Sequence, residues 1–317
     1  MVDKIPGWMV KEWMGESLSQ KIDRSNIIIK RFYGAVNGEV HISDSGGKDS
    51  LVQRHLVRSL YPDTPAVHVA VPRDPDTVKY VKTIDNLEIL VPKHSYEEVV
   101  KRWGYPVVSK EVSKNISRYC SSRNRGDEGM MRYRLTGNHP DGRTGLSMGV
   151  IPKKWQFLVD APFKISDVCC DVMKKKPLVT YEKKHGTKPF MGILAEESDR
   201  RMRKYREFGC TILTEGKEKC MPLSHWTEKD VWDYIKLNDL EYSSIYDKGE
   251  SRTGCIGCMF GCHLEKKPNR FQRHYHRWPK LYDYYMNRVG LGKVLDYVGI
   301  DYTPIGRITD YLQPTTP

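Results

Sequence analysis

The string Ser43-Asp-Ser-Gly-Gly-Lys-Asp-Ser50 follows the short apolar run Val40-His-Ile-Ser43 and precedes the helical pattern of residues 50–60. A strand that passes into a helix through two adjacent glycines can turn tightly and bring backbone amides towards an anion without side-chain obstruction. The positive end of the helix that follows favours phosphate at the same place. Lys48 adds a point charge, and Ser43, Ser45 and Ser50 add hydroxyls. The spacing is not that of a Walker A loop, which needs four residues between its glycine and Gly-Lys-[Ser/Thr].

Strand and helix patterns alternate around this turn. Residues 65–71 and 87–91 read as strands, with helical patterns over 76–84 and 96–103, a helix over 169–185, a strand over 189–194 and helices over 196–208 and 227–235. Such alternation predicts parallel βαβ units, and so an α/β fold with a doubly wound, mostly parallel sheet. The division expected is a helical lead over 1–37, a nucleotide-binding domain over 38–250, and a cysteine-rich turn with C-terminal helices over 251–317. Residues 121–164 interrupt the rhythm. Rich in Gly, Asn and Arg, they read as an irregular basic insertion, either a lid that contacts substrate or a surface loop.

Lys and Arg number 52 against 40 Asp and Glu, a net charge of +12. Such an excess favours polyanionic partners, DNA or RNA among them, or a basic nucleotide pocket. No apolar run approaches the roughly 20 residues that span a bilayer, and no signal-peptide pattern opens the chain, so the expectation is a cytoplasmic protein with no membrane partner. Eight cysteines in a reducing compartment point to metal or redox chemistry rather than to a disulfide framework. Cys169 and Cys170 are adjacent, and Cys255, Cys258 and Cys262 fall within eight residues. The Cys-x-x-Cys spacing suits zinc or an iron–sulfur cluster. The run Arg270-Phe-Gln-Arg-His-Tyr-His-Arg277 interleaves bases with aromatics and reads as a packing helix or a nucleic-acid contact.

The full phosphate-loop string resembles the PP-loop of the ATP-pyrophosphatase (adenine nucleotide alpha-hydrolase) superfamily. Cys169-Cys-x-x-x-Lys174-x-x-Pro177-Leu178 and Arg252-x-Gly-Cys255-x-x-Cys258 are similar to the paired motifs that hold a [4Fe–4S] cluster in adenylyl-sulfate (APS) reductases. Gly192-x-x-x-Glu196-Glu-Ser198 and Pro222-Leu-x-x-Trp226-Thr-x-x-Asp230-Val-Trp232 resemble the same family, in the same order. The likeness is to phosphoadenosine phosphosulfate (PAPS) reductases and to DndC-type proteins of DNA phosphorothioation. It implies an adenine nucleotide (ATP, APS or PAPS) held by Ser43, Ser45, Gly46, Gly47, Lys48, Asp49, Ser50, Gly192, Glu196, Glu197 and Ser198. Lys48 and Asp49 would act on it with Mg²⁺. It further implies a [4Fe–4S] cluster on Cys169, Cys170, Cys255 and Cys258, with Cys262 a further candidate ligand and zinc the alternative metal.

The sequence departs from the reductases in two ways. No cysteine follows Cys262, whereas the reductases carry a nucleophilic cysteine near the C-terminus, and Leu194 stands where an arginine is usual. Cys262, with His263 beside it, is then the candidate replacement nucleophile. The expected chemistry is ATP cleavage at the α-phosphate to activate an acceptor, nucleic acid among the candidates, for thiolation. A cysteine desulfurase would supply the sulfur. The alternatives are a sulfite-forming APS or PAPS reductase served by a thioredoxin-like donor, and a non-catalytic nucleotide sensor that binds nucleic acid.

Overall fold

A computed structural model of the chain describes residues 4–304. The C-terminal run Tyr311–Pro317, on which the missing-cysteine argument partly rests, lies outside them. In chain order the elements begin with α1 (Gly7–Gly15), α2 (Leu18–Ala35), β1 (Val40–Ser43), α3 (Lys48–Leu60), β2 (Ala66–Val69), α4 (Pro75–Val81) and β3 (Leu87–Leu90). Next come α5 (Tyr96–Trp103), α6 (Lys110–Asn124), α7 (Glu128–Thr136), α8 (Lys176–His185) and β4 (Lys188–Met191). The chain continues through α9 (Asp199–Phe208), β5 (Thr211–Ile212), β6 (Lys219–Cys220), α10 (Glu228–Leu237), α11 (Arg270–Arg277), α12 (Pro279–Asp283) and α13 (Leu291–Val298). No helix among the described residues is long and apolar enough to cross a membrane.

The chain divides into two compact units, one of residues 1–92 with 176–255 and the other of residues 93–175 with 256–317. The first unit carries a six-stranded sheet in the order β3-β2-β1-β4-β6-β5. Its pairs are parallel except β5 on β6. β1 lies between β2 and β4, with Ile42 opposite Ala66 on one side and Phe190 on the other. From β1 the chain winds outwards through β2 and β3, then returns to the other side of β1 as β4. That reversal is the topological switch point at which open α/β sheets form their ligand crevice. The architecture is the doubly wound α/β fold expected from the alternating pattern.

The inner strands β1 and β2 form because they are largely apolar and buried on both faces, as inner parallel strands are, whereas the edge strand β3 exposes Glu88 and Ile89. Ile42, Ala66 and Phe190 are fully buried and pack with Ile29 and Phe32 of α2, Val52 and Leu56 of α3, and Trp226. α2 is fixed at its start by a capping box between Ser17 and Gln20. It is fixed along its length by the buried Lys21, whose Nζ lies 2.6 Å from Asp230 Oδ2 and 2.7 Å from the Met14 carbonyl. Asp230 itself completes the capping box of α10 with Thr227. Two residues of the sequence motif around Trp226 are therefore structural: Trp226 is fully buried, and its indole donates to Ser25 Oγ.

In the second unit, the basic stretch 121–164 is more regular than its composition suggests. α6 runs into it as far as Asn124, α7 is capped by Asp127 and stopped by Gly137 in the left-handed region, and residues 153–160 form a 3₁₀ turn. Arg134 and Tyr133 are buried there, Arg123 pairs with Asp160, and Arg143 pairs with Asp141. Three of the stretch's five arginines are thus taken up by packing or ion pairs, while Arg125 and Arg132 stay exposed.

Candidate nucleotide site and cysteines

The phosphate loop leaves β1 at Ser43 and enters α3 at Lys48, at the switch point. Gly46 has φ +73°, and a Cβ there would come within 2.6 Å of Val81 Cγ2 on α4. At Gly47 a Cβ would meet Thr253 Oγ1 at 2.8 Å. Both positions therefore demand glycine, the first for conformation and space and the second for space. Gly192, just past β4, is the third: its Cβ would fall 2.7 Å from the Asp49 carbonyl oxygen and 2.9 Å from Ser50 N. The motif glycine at 192 thus lets the end of β4 press against the start of α3.

Asp44, a residue to which the sequence assigned no role, organises the turn. It is 3% exposed; its Oδ1 accepts from Gly46 N at 2.7 Å and from Ser50 Oγ at 3.0 Å, and its Oδ2 accepts from Arg54 Nη1 at 2.9 Å. Arg54 in turn donates to the Tyr80 hydroxyl. The loop amides are all engaged: Ser45 N and Gly47 N lie 3.2 Å from Ser50 Oγ, and Lys48 N donates to the Tyr246 hydroxyl at 2.9 Å. Protein hydroxyls therefore stand where an anion's oxygens would be received.

Lys48 is 6% exposed, with Nζ 3.2 Å from Glu228 and 3.5 Å from Asp49. Burial opposes its charge, but Asp49, Tyr246 and Glu228 outweigh burial and hold its pKa above the ordinary lysine value. Burial pushes the Asp49 carboxyl up, partly offset by Lys48. Asp49 Oδ1 is buried, and its partner is the Lys48 ammonium at 3.5 Å, a long ion pair with no hydrogen bond besides it. A buried carboxylate oxygen so loosely held has the chemistry of a cation ligand. Burial lowers the pKa of Arg201, where Asp49 supports the guanidinium charge and Arg252 opposes it. Arg73 Nη1 donates to the Thr253 carbonyl. Glu228, Tyr246, Thr253, Arg73, Arg201 and Arg252 escaped the sequence reading as members of this site. The acids in the first turn of α10 were visible, but their partner on the loop was not.

The remaining motif residues have other partners. Glu196 accepts from Glu228 N, Glu197 pairs with Arg201, and the Ser198 hydroxyl accepts from Arg201 N as the cap of α9. Glu196 and Glu197 precede that helix instead of forming its first turn, because Ser198 takes the capping position.

None of the eight cysteines forms a disulfide. Cys169, Cys170, Cys258 and Cys262 belong to the second unit, while Cys255 is the last residue of the first. A hydrogen bond from Cys169, with Lys110 and Lys174 nearby, draws the Cys170 thiol down to about 5, so it is a thiolate at neutral pH. Cys262 is 2% exposed, and burial pushes its thiol up to about 12. Burial and Lys154 lower the pKa of His263, whose ring packs against Trp155. That environment holds Cys262 as a thiol and His263 neutral, which disfavours the thiolate a nucleophile requires. Among the described residues, no three His, Cys, Asp or Glu side chains gather closely enough to hold a single metal ion.

Residues 144–260 match the family model of the phosphoadenosine phosphosulfate reductase domain. An adenosine 5′-phosphosulfate reductase of Lysinibacillus sphaericus is 36% identical over 95 residues, 28% of this chain and 37% of that protein. An uncharacterised protein of Methanocaldococcus jannaschii is 24% identical over 277 residues, covering 83% of this chain and 52% of its own length. The chain thus spans about half or less of the length of these relatives. Among solved structures, a phosphoadenylyl-sulfate reductase of Candida auris covers 79% of this chain and 95% of its own, with TM-score 0.41 and 15% identity. The U34-tRNA thiolase of Methanococcus maripaludis with its [4Fe–4S] cluster covers 89% and 84%, with TM-score 0.32 and 14% identity. The likeness to the phosphoadenosine phosphosulfate reductase domain is thus carried by the segment 144–260.

Proposed function

We propose that this chain is a nucleotide-dependent enzyme of sulfur transfer that cleaves ATP between its α- and β-phosphates to activate an acceptor for thiolation, with nucleic acid as the acceptor class. The observation that carries the reading is the phosphate loop at the sheet's switch point. There Lys48 is held charged, and Asp44 fixes the turn from behind. Phosphate oxygens would replace the Tyr246 hydroxyl on Lys48 N and draw Lys48 Nζ from Glu228. Arg73, Arg201 and Arg252 supply further positive charge in the same unit. Such preorganised charge stabilises the negative charge that develops on the departing pyrophosphate.

Mg²⁺ would fit Asp49, whose buried Oδ1 has only the long 3.5 Å ion pair with Lys48. The ligand set for a [4Fe–4S] cluster is Cys169, Cys170, Cys255 and Cys258, with Cys262 in reserve. Cysteines outside any disulfide, with the Cys170 thiol drawn down towards its thiolate, are suitable donors. Bound, such a cluster would supply iron able to hold sulfur. Zinc on the same four thiolates is the alternative metal. A sulfite-forming reductase is the second reading, favoured by the identity with the Lysinibacillus sphaericus protein.

The deciding experiment incubates anaerobically purified protein with ATP and Mg²⁺, or with APS and a thiol reductant. Pyrophosphate and AMP from ATP support the first reading, and loss of at least about a hundredfold in Lys48→Met ties the activity to the loop. Sulfite from APS without pyrophosphate from ATP would replace the first reading by the second.

A further inference from the structure

The positive charge of this chain is not where its phosphate loop is. The first unit holds 27 Lys and Arg against 26 Asp and Glu, a net of +1, whereas the second holds 25 against 14, a net of +11. A basic nucleotide pocket therefore does not explain the excess. Within the second unit, the most arginine-rich candidates are largely neutralised. Arg123 and Arg143 are paired with aspartates, Arg134 is buried, and Arg270 and Arg273 pair with Glu265.

Elsewhere on the same unit a line of aromatic rings reaches the surface. Trp155 lies 6.3 Å from Phe157, Phe157 5.9 Å from Tyr297, and Tyr297 5.4 Å from Phe163, measured between ring centroids. Phe157 is 45% exposed and Tyr297 37%. The first two pairs are tilted by 37° and 36° at separations too wide for stacking, so these rings do not cover one another's faces. Four exposed lysines stand in the same elements: Lys153 and Lys154 beside Trp155, Lys164 beside Phe163, and Lys293 one helical turn before Tyr297. None of the four forms an ion pair among the described residues, and Lys154 Nζ sits 5.3 Å from the centre of the Trp155 ring.

Exposed aromatics cost solubility unless something covers them, and exposed lysines interleaved with them, which have no carboxylate partner among the described residues although Lys164 donates to the Arg102 carbonyl, call for an anion. A single-stranded nucleic acid satisfies both, because unpaired bases stack on aromatic faces while the phosphates between them meet cations. A duplex hides its base faces and an acidic peptide has none. We infer that the aromatic line Trp155–Phe157–Tyr297–Phe163, with Lys153, Lys154, Lys164 and Lys293, is a docking surface for single-stranded nucleic acid. The inference deepens the proposed function by giving its acceptor class a site and a strandedness, and it rests on that reading for what happens to the strand.

The test measures binding of a fluorescein-labelled oligouridylate to the full chain by anisotropy, against a duplex RNA of the same length, over a range of salt concentrations. Oligouridylate should bind more tightly than duplex. Phe157→Ala and Tyr297→Ala should each weaken it by about tenfold while the melting temperature stays unchanged. Lys153→Ala with Lys154→Ala should reduce the log–log salt slope by about one. Equal binding by the aromatic variants, preference for the duplex, or no binding at physiological salt would each overturn the inference. ATP-dependent pyrophosphate release is followed in the same preparations. Release without oligouridylate binding defeats only this surface, whereas binding without release defeats only the proposed chemistry.

Discussion

Two histidines of the first unit are buried in places that cannot accept a proton cheaply. His41 on β1 is fully buried, with Nδ1 3.1 Å from Thr187 Oγ1, and burial followed by His185 lowers its pKa from 6.5 to about 4. His225 is equally buried, with burial the main cause of a fall to about 4. Because each folded value lies below the unfolded one, the unfolded chain binds more protons between pH 6.5 and pH 4. Stability is therefore intact above pH 6.5 and lost as pH falls through that window. From these values each histidine costs about 2 kcal/mol at pH 5, rising towards about 3 kcal/mol below pH 4. Together they amount to a large part of a typical folding free energy of about 5–15 kcal/mol. Urea denaturation at pH 7.5 and pH 5 measures the loss, and His41→Gln and His225→Gln isolate each share. Whatever its stability at pH 7.5, either variant should lose about 2 kcal/mol less than the unsubstituted chain on going to pH 5. An identical acid loss in both variants would refute the reasoning, since it would place the proton uptake on other groups.

Gly192→Ala forces a Cβ against the backbone of Asp49 and Ser50, so it should cost about 1–3 kcal/mol of stability and raise the KM for nucleotide. Urea titration with steady-state kinetics checks both, and an unperturbed KM would show that β4 does not brace the loop. Lys21→Met leaves Asp230 without its buried cation and should destabilise by about 3–5 kcal/mol. Adding Asp230→Asn should recover part of that loss in the same denaturation assay.

Much of the first unit was legible because its strands are short apolar runs bounded by turn residues. Val40–Ser43, Ala66–Val69 and Leu87–Leu90 fall within a residue or two of their expected limits. β5 and β6 were not legible, since two residues each give no periodicity to read. The segment 121–164 was misread as irregular because its arginines look like solvent-facing charge until Asp160 and Asp141 are brought to them. At the nucleotide site, Gly46, Gly47 and Lys48 announced themselves through local spacing. Asp44 lay inside the same string, but its role depends on Arg54, ten residues on, and on the hydroxyl of Ser50. Tyr246 and Glu228 reach the loop from 198 and 180 residues away, a relation that only the folded sheet creates.

The sheet also dictates an order of assembly. β1 pairs with β4 along four residues, yet residues 93–175 of the second unit are synthesised between them. Until β4 emerges from the ribosome, β1 has one unpaired edge, and the switch point proposed to receive phosphate has only one of its two walls. Long-range parallel pairing of this kind is slow, and its open edges invite association. Nascent chains arrested before Lys188 should therefore be unable to form the phosphate loop's final geometry, however completely β1, β2 and β3 have folded.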